Sequence, residues 1–177
     1  QGGNAFDAAV AISATLAVVE PFGSGLGGGG FWLLYRTSDD RTVMVDGRER
    51  APLAATSTLY LDADGQFDTR RSQDGPLAAA IPGQPAALVH LARHYGRLPL
   101  ATSLEPAIRL AHEGFTVGPR YALMAGYRLP ALLASPEARR TFLAAGIAPL
   151  PGWTLRQPEL ADTLQSLVDH GHEGFYG

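Results

Sequence analysis

The amino-acid sequence predicts an α+β fold, with antiparallel strands in the first half and a helical second half. Three patterns predict it: a nearly all-apolar helical run over residues 4–19, two short apolar runs joined by the polar tetrapeptide Thr37-Ser38-Asp39-Asp40, and, from Pro85 onward, apolar residues at helical spacing punctuated by glycine. The 177 residues are the size of one domain, which buries roughly 70% of the surface its unfolded chain exposes. No fixed-period repeat or low-complexity linker divides them, so residues 1–177 are read as a single domain.

In chain order, Asn4 is the expected N-cap of the first helix, Asp7 lies in its first turn, and Pro21 ends it by disfavouring α geometry at Glu20. Apolar residues nearly all round this helix predict burial on most sides. After the glycine-rich loop Gly23–Gly30, Phe31–Tyr35 and Thr42–Val45 form an antiparallel hairpin, and two further strands are expected near Thr58–Leu61 and Leu77–Ile81, the first followed by an Asp64-Gly65 turn. Leu88, Leu91, Ala92 and Tyr95 mark a helix with Gly96 as a left-handed C-cap. Thr102 or Ser103 caps the next helix, which closes at Gly114, and further helices are expected over 119–129, 136–145 and 158–170.

Composition excludes several chemistries. The net charge is -3, all 14 residues in the Lys+Arg count are arginines, and cysteine is absent. No nucleic-acid partner is expected, and a lysine Schiff base, a Walker lysine, a thiolate nucleophile and a cysteine metal site are all ruled out. The most continuous apolar run, Ala8–Val19, is too short for the ~20 residues that cross a bilayer. The chain opens at Gln1-Gly2-Gly3 without Met and stops at Tyr176-Gly177, so it is read as a piece of something longer.

Most local motifs read as structure. Gly23, Gly25 and Gly28 match G-x-G-x-x-G, but the loop leaves a helix and enters a strand, the reverse of a dinucleotide site; tight backbone packing or positive φ is the expectation. His90 and His94 have zincin spacing, yet Leu91 stands where the general base belongs, so a solvated helical face is expected and no metal. His170 and His172 flank a helix-ending glycine, where imidazolium charge suits the carbonyl end. Asp62-Ala63-Asp64-Gly65 is similar to a calcium loop but has its glycine too early, which makes it a turn. Ser24 lacks the first glycine of a nucleophile elbow.

One constellation remains, Val45-Asp46-Gly47-Arg48-Glu49-Arg50-Ala51-Pro52. Extended geometry puts Asp46, Arg48 and Arg50 on one side and Glu49 on the other. An arginine there can clamp a carboxylate through two parallel hydrogen bonds; the alternative is an exposed ion-pair cluster worth ~0–1 kcal/mol.

The ordered strings Gly2-Gly3-Asn4-Ala5-Phe6-Asp7-Ala8-Ala9-Val10, Val19-Glu20-Pro21, Ser24-Gly25-Leu26-Gly27-Gly28-Gly29-Gly30-Phe31 and Asp46-Gly47-Arg48-Glu49-Arg50-Ala51-Pro52 resemble the large subunit of gamma-glutamyltransferases. Ile81-Pro82-Gly83, Tyr95-Gly96-Arg97-Leu98-Pro99, Glu105-Pro106-Ala107-Ile108-Arg109-Leu110-Ala111, Glu113-Gly114-Phe115 and Gln157-Pro158-Glu159-Leu160 continue the resemblance over nearly the whole chain.

The resemblance implies part of an N-terminal nucleophile hydrolase of αββα architecture, made as a zymogen that cleaves itself into large and small subunits. It implies transfer or hydrolysis of gamma-glutamyl groups, as in glutathione metabolism, through an acyl-enzyme on a threonine that begins the small subunit. The arginine matching the family's α-carboxylate binder is Arg48. The small-subunit motif with Thr-Thr-His is missing, so no catalytic residue, cofactor or metal is assigned to this chain, and the piece alone is expected to be inactive. Its expected partners are gamma-glutamyl substrates such as glutathione and the small subunit of the same precursor. Apolar surface left uncovered by that subunit is expected to favour self-association. The alternatives are a related cephalosporin or glutaryl acylase and a noncatalytic module. The family implies a periplasmic or secreted parent, and nothing in the chain opposes a cytoplasmic one.

Overall fold

A computed structural model describes residues 2–177. Helix α1, Ala5–Val19, begins with a reciprocal cap: Asn4 Oδ1 accepts from the N–H groups of Phe6 and Asp7 (2.9 and 3.0 Å), while the Asn4 N–H donates to Asp7 Oδ2 at 2.7 Å. It closes at Glu20, just before Pro21. Val10, Ala14, Ala17 and Val18 face the core against α3 (Gln84–Tyr95) and α4 (Leu100–Glu113). The expected burial on most sides does not hold. Ile12 is 59% exposed, and Ala5, Ala8 and Leu16 share its stripe, because the described residues place no element over that side.

The hairpin forms where expected, as β1 (Gly30–Arg36) and β2 (Arg41–Gly47), with Leu33 opposite Met44 and Trp32 opposite Val45. Trp32, Leu34 and Val45 pack on the helical core. The alternate face, carrying Phe31, Leu33, Tyr35 and Met44, is exposed, with Leu33 at 75%. Asp40, at φ 51, lets the turn close, and the Arg36–Asp39 ion pair spans it at 2.6 Å.

The two further strands are absent. Asp62 Oδ1 accepts from the N–H groups of Asp64 and Gln66 and folds that segment back on itself, with Leu61 bridging Phe67 and Gly65 at φ 75. Leu77 lies in the 3₁₀ turn Pro76–Ala78, after the short helix α2 (Thr69–Gln73), and Ile81 makes only an isolated bridge with Arg50. Apolar runs this short form strands only beside a continuous edge, and each meets its partner at a single bridge.

Gly96 is extended (φ -69) rather than left-handed. Glycine is required there because a Cβ would lie 2.5 Å from Asp7 Oδ1. The Asp7 carboxylate also accepts from the N–H groups of Arg97 (3.0 Å) and Leu98 (3.1 Å), tying the start of α1 to the α3–α4 link. Helix α4 starts at Leu100, after Pro99, and Thr102 and Ser103 lie inside its first turn with no side-chain cap; the fixed φ of Pro99 starts the helix early. Gly114, at φ 92, ends it as expected.

The back half holds α5 (Pro119–Tyr127), α6 (Leu129–Ala134), α7 (Pro136–Phe142), α8 (Pro158–His170) and α9 (Glu173–Tyr176), with the two-residue strands β3 (Phe115–Thr116) and β4 (Thr154–Leu155) paired antiparallel. Helix α6 fills the expected gap between the 119–129 and 136–145 segments. Helices α1, α3, α4 and α8 enclose the main core around Val18, Leu88, Leu104 and Leu164. Buried Gln157 links two of them: its side-chain amide donates to Val18 O and its backbone N–H to Ala111 O, each at 2.8 Å.

Candidate functional site

The Asp46–Arg50 segment leaves β2 and is gripped by backbone from two sides. A Cβ on Gly29 would lie 2.4 Å from Gly47 O, and one on Gly83 would lie 2.3 Å from Gly47 O and 2.4 Å from Arg48 O. Gly47 is itself hemmed in by Trp32 and the Ala87 methyl. Only hydrogen fits where backbone approaches backbone this closely. Gly28 O accepts from the N–H groups of Gly83 and Gln84, both at 3.0 Å, so the glycine loop, the hairpin end and the start of α3 lock together. Of the loop glycines, Gly29 is the one that close packing requires, and none between 23 and 30 has positive φ.

Beyond the clamp, Arg50 N–H donates to Ile81 O (3.0 Å) and Ile81 N–H to Arg50 O (2.8 Å), holding the chain extended. Asp46 Oδ1 accepts from the Arg48 N–H at 2.9 Å. An open groove of about 670 Å³ follows, lined on this side by the run of residues 43–48 and by Arg50 but not by Glu49. The Arg48 side chain is 61% exposed, and its Nε lies 3.3 Å from Glu49 Oε2. That oxygen is shielded from solvent and receives no hydrogen bond. Arg48 therefore stands at a groove rim with one acid beside it, a placement that fits both the clamp and the ion-pair readings.

The opposite wall comes from elements far away in sequence. Ala86, Ala87 and His90 of α3 and Tyr176 of α9 line it, with His172 just before α9. The Tyr176 hydroxyl donates to Pro82 O at 2.7 Å and accepts from the Ala86 N–H at 3.2 Å. It supplies the cap that Gly83, lacking a side chain, cannot give α3. Burial pushes the Tyr176 phenol up, partly offset by that N–H. Sequence reading missed Tyr176, since nothing local marks a residue that acts across more than 90 positions. His172 follows Gly171 (φ 62) as the helix-end reading predicts, and stacks on Tyr176 at 4.5 Å.

His90 and His94 stack at 4.4 Å on an exposed face of α3, and burial followed by its neighbour His94 pushes the His90 imidazole down. Among the described residues no group of three or more His, Cys, Asp or Glu gathers around them. A second cavity of about 330 Å³ lies between Phe22, Tyr121 and Phe142, where the Tyr121 hydroxyl donates to Phe142 O at 3.0 Å and burial pushes that phenol up to about 12. It belongs to the smaller apolar cluster of the back half.

The sequence profile of gamma-glutamyltranspeptidase matches residues 1–177. The glutathione hydrolase proenzyme of Escherichia coli is 37% identical over 177 residues, covering 99% of this chain and 30% of that protein. The crystal structure of Helicobacter pylori gamma-glutamyltranspeptidase superposes with a TM-score of 0.94 at 36% identity, over 99% of this chain and 50% of that one. A cephalosporin acylase from Bacillus halodurans superposes with a TM-score of 0.83 at 33% identity, over 99% of this chain and 33% of the acylase. The chain thus spans between 30% and 50% of the length of these relatives.

Proposed function

Because the chain belongs to the gamma-glutamyltranspeptidase family, we propose that it forms one wall of a pocket in which a gamma-glutamyl group is held for transfer or hydrolysis. The acyl-enzyme threonine belongs to a small subunit of the same precursor, outside this chain, and residues 1–177 are the large-subunit part of an N-terminal nucleophile hydrolase fold. Arg48 grips the glutamyl α-carboxylate. The observation that carries this reading is a guanidinium on the rim of a groove whose supporting backbone is clamped by Gly29 and Gly83.

The chemistry follows from the geometry of the donor. A planar guanidinium meets a carboxylate through two parallel N–H···O bonds and fixes its direction, which places the gamma-carbonyl at a set distance from the nucleophile. A clamped backbone matters because the arginine arm is flexible while its root is not. Glu49, at 3.3 Å, competes for the same cation until the substrate carboxylate replaces it. In the full-length protein Arg48→Ala is expected to raise KM for gamma-glutamyl-p-nitroanilide about ten- to 150-fold, the equivalent of roughly 1.5–3 kcal/mol. Unchanged kinetics return Arg48 to a surface ion pair.

Similarity to the Bacillus halodurans cephalosporin acylase favours one second reading, an acylase for glutaryl-type side chains. Such side chains lack the α-amino acid head. Activity on glutaryl-p-nitroanilide exceeding that on gamma-glutamyl-p-nitroanilide selects it.

A further inference from the structure

We infer that the groove holds a second carboxylate site, built on Arg50, for donors whose leaving portion ends in a carboxylate, as in a gamma-glutamyl amino acid. This deepens the reading of Arg48 and rests on it. Arg48 and Arg50 line the same groove. The two Arg50–Ile81 backbone bonds fix the main chain at Arg50, only two residues beyond Arg48. Arg50 is exposed, and no acidic side chain among the described residues lies within ion-pair distance of it.

The groove's acidic lining is Asp46, one of whose oxygens already accepts from the Arg48 N–H. A chain of net charge -3 therefore gathers two guanidiniums on one groove and leaves one of them without an acid. A donor with carboxylates at both ends complements that pair. Once the glutamyl α-carboxylate sits on Arg48, the tethered second carboxylate reaches Arg50 at high effective concentration. Arginine suits it because its planar fork takes both oxygens.

The test compares a matched pair of donors, gamma-glutamylglycine and gamma-glutamylglycinamide, in hydrolysis by the processed full-length protein. The unmodified protein is expected to favour the glycine donor in kcat/KM about five- to tenfold. Arg50→Gln is expected to bring that ratio near one while changing the glycinamide rate less than about twofold, and Arg50→Lys to restore part of it. No preference in the unmodified protein, or an equal loss on both donors in Arg50→Gln, overturns the site. Transfer from gamma-glutamyl-p-nitroanilide to glycylglycine and to glycylglycinamide forms the second arm. A loss confined to that arm places the carboxylate on the acceptor and overturns the assignment to the donor. Arg48→Gln, run in parallel, is expected to weaken both donors equally. If it is silent, the Arg48 reading fails and the second site built on it fails too; if it weakens both donors while Arg50→Gln leaves the preference intact, the second site alone fails.

Discussion

Substituting Gly83 by alanine tests whether backbone packing aims Arg48. The added methyl would sit 2.3 Å from Gly47 O, 2.4 Å from Arg48 O and 2.7 Å from Gly47 C. All three are main-chain atoms, so no rotamer change relieves the clash. Restoring van der Waals contact requires a shift of about 1 Å between the start of α3 and the hairpin end. Overpacking of this kind costs about 1–3 kcal/mol. On the proposed role of Arg48, a 1 Å displacement at its root also costs activity, about tenfold or more in kcat/KM. Both are measurable in the full-length protein by urea unfolding and by gamma-glutamyl-p-nitroanilide kinetics. Gly27→Ala in the glycine loop is the control: its Cβ would have no atom within 4 Å, so stability stays within ~0.5 kcal/mol of the parent. Gly29→Ala, pressing on the same carbonyl from the other side at 2.4 Å, is expected to reproduce Gly83→Ala. If Gly83→Ala behaves like Gly27→Ala in both assays, the clamp does not position Arg48.

Asp7 carries a pH dependence. Burial pushes its carboxyl up, but the N–H groups of Asn4, Arg97 and Leu98, with the Arg97 charge, outweigh burial and hold it below its ordinary 3.8. Its contribution to stability is therefore complete above about pH 4 and fades as pH falls through the lower folded value. Urea midpoints of Asp7→Asn between pH 3 and 7 should show that part of the acid loss removed, and Asp7→Ala should cost about 3 kcal/mol by orphaning buried N–H groups. Tyr176→Phe keeps the ring and removes the cap of α3, with an expected loss of about 1 kcal/mol by urea titration and a KM rise of a few-fold. Purified 1–177 should show no turnover above background, and a saturable, inhibitor-sensitive rate refutes this. The same piece should self-associate in sedimentation velocity through Phe31, Leu33, Tyr35 and Met44, and Leu33→Glu should reduce it; unchanged sedimentation in that variant places the contact elsewhere.

The elements legible from sequence were those whose causes lie close in the chain. Asn4, Asp7 and Pro21 bracket α1; a polar tetrapeptide between two short apolar runs makes a hairpin; Leu164 and Leu167 lie on one face of α8 and are buried. The misread elements depended on neighbours. Thr58–Leu61 and Leu77–Ile81 have strand-like composition but pair at one bridge each, and Gly96 is glycine because the Asp7 carboxylate from α1 occupies the space its Cβ would need.

For the site, the sequence by itself determined the kinship and the segment just after the hairpin that carries Arg48 and Arg50. Only the tertiary structure decided that Gly29 and Gly83 grip that segment and that Tyr176 props the opposite wall. Those contacts join residues far apart in the chain, and which of them meet depends on how helices and hairpin pack, a property no local spacing encodes.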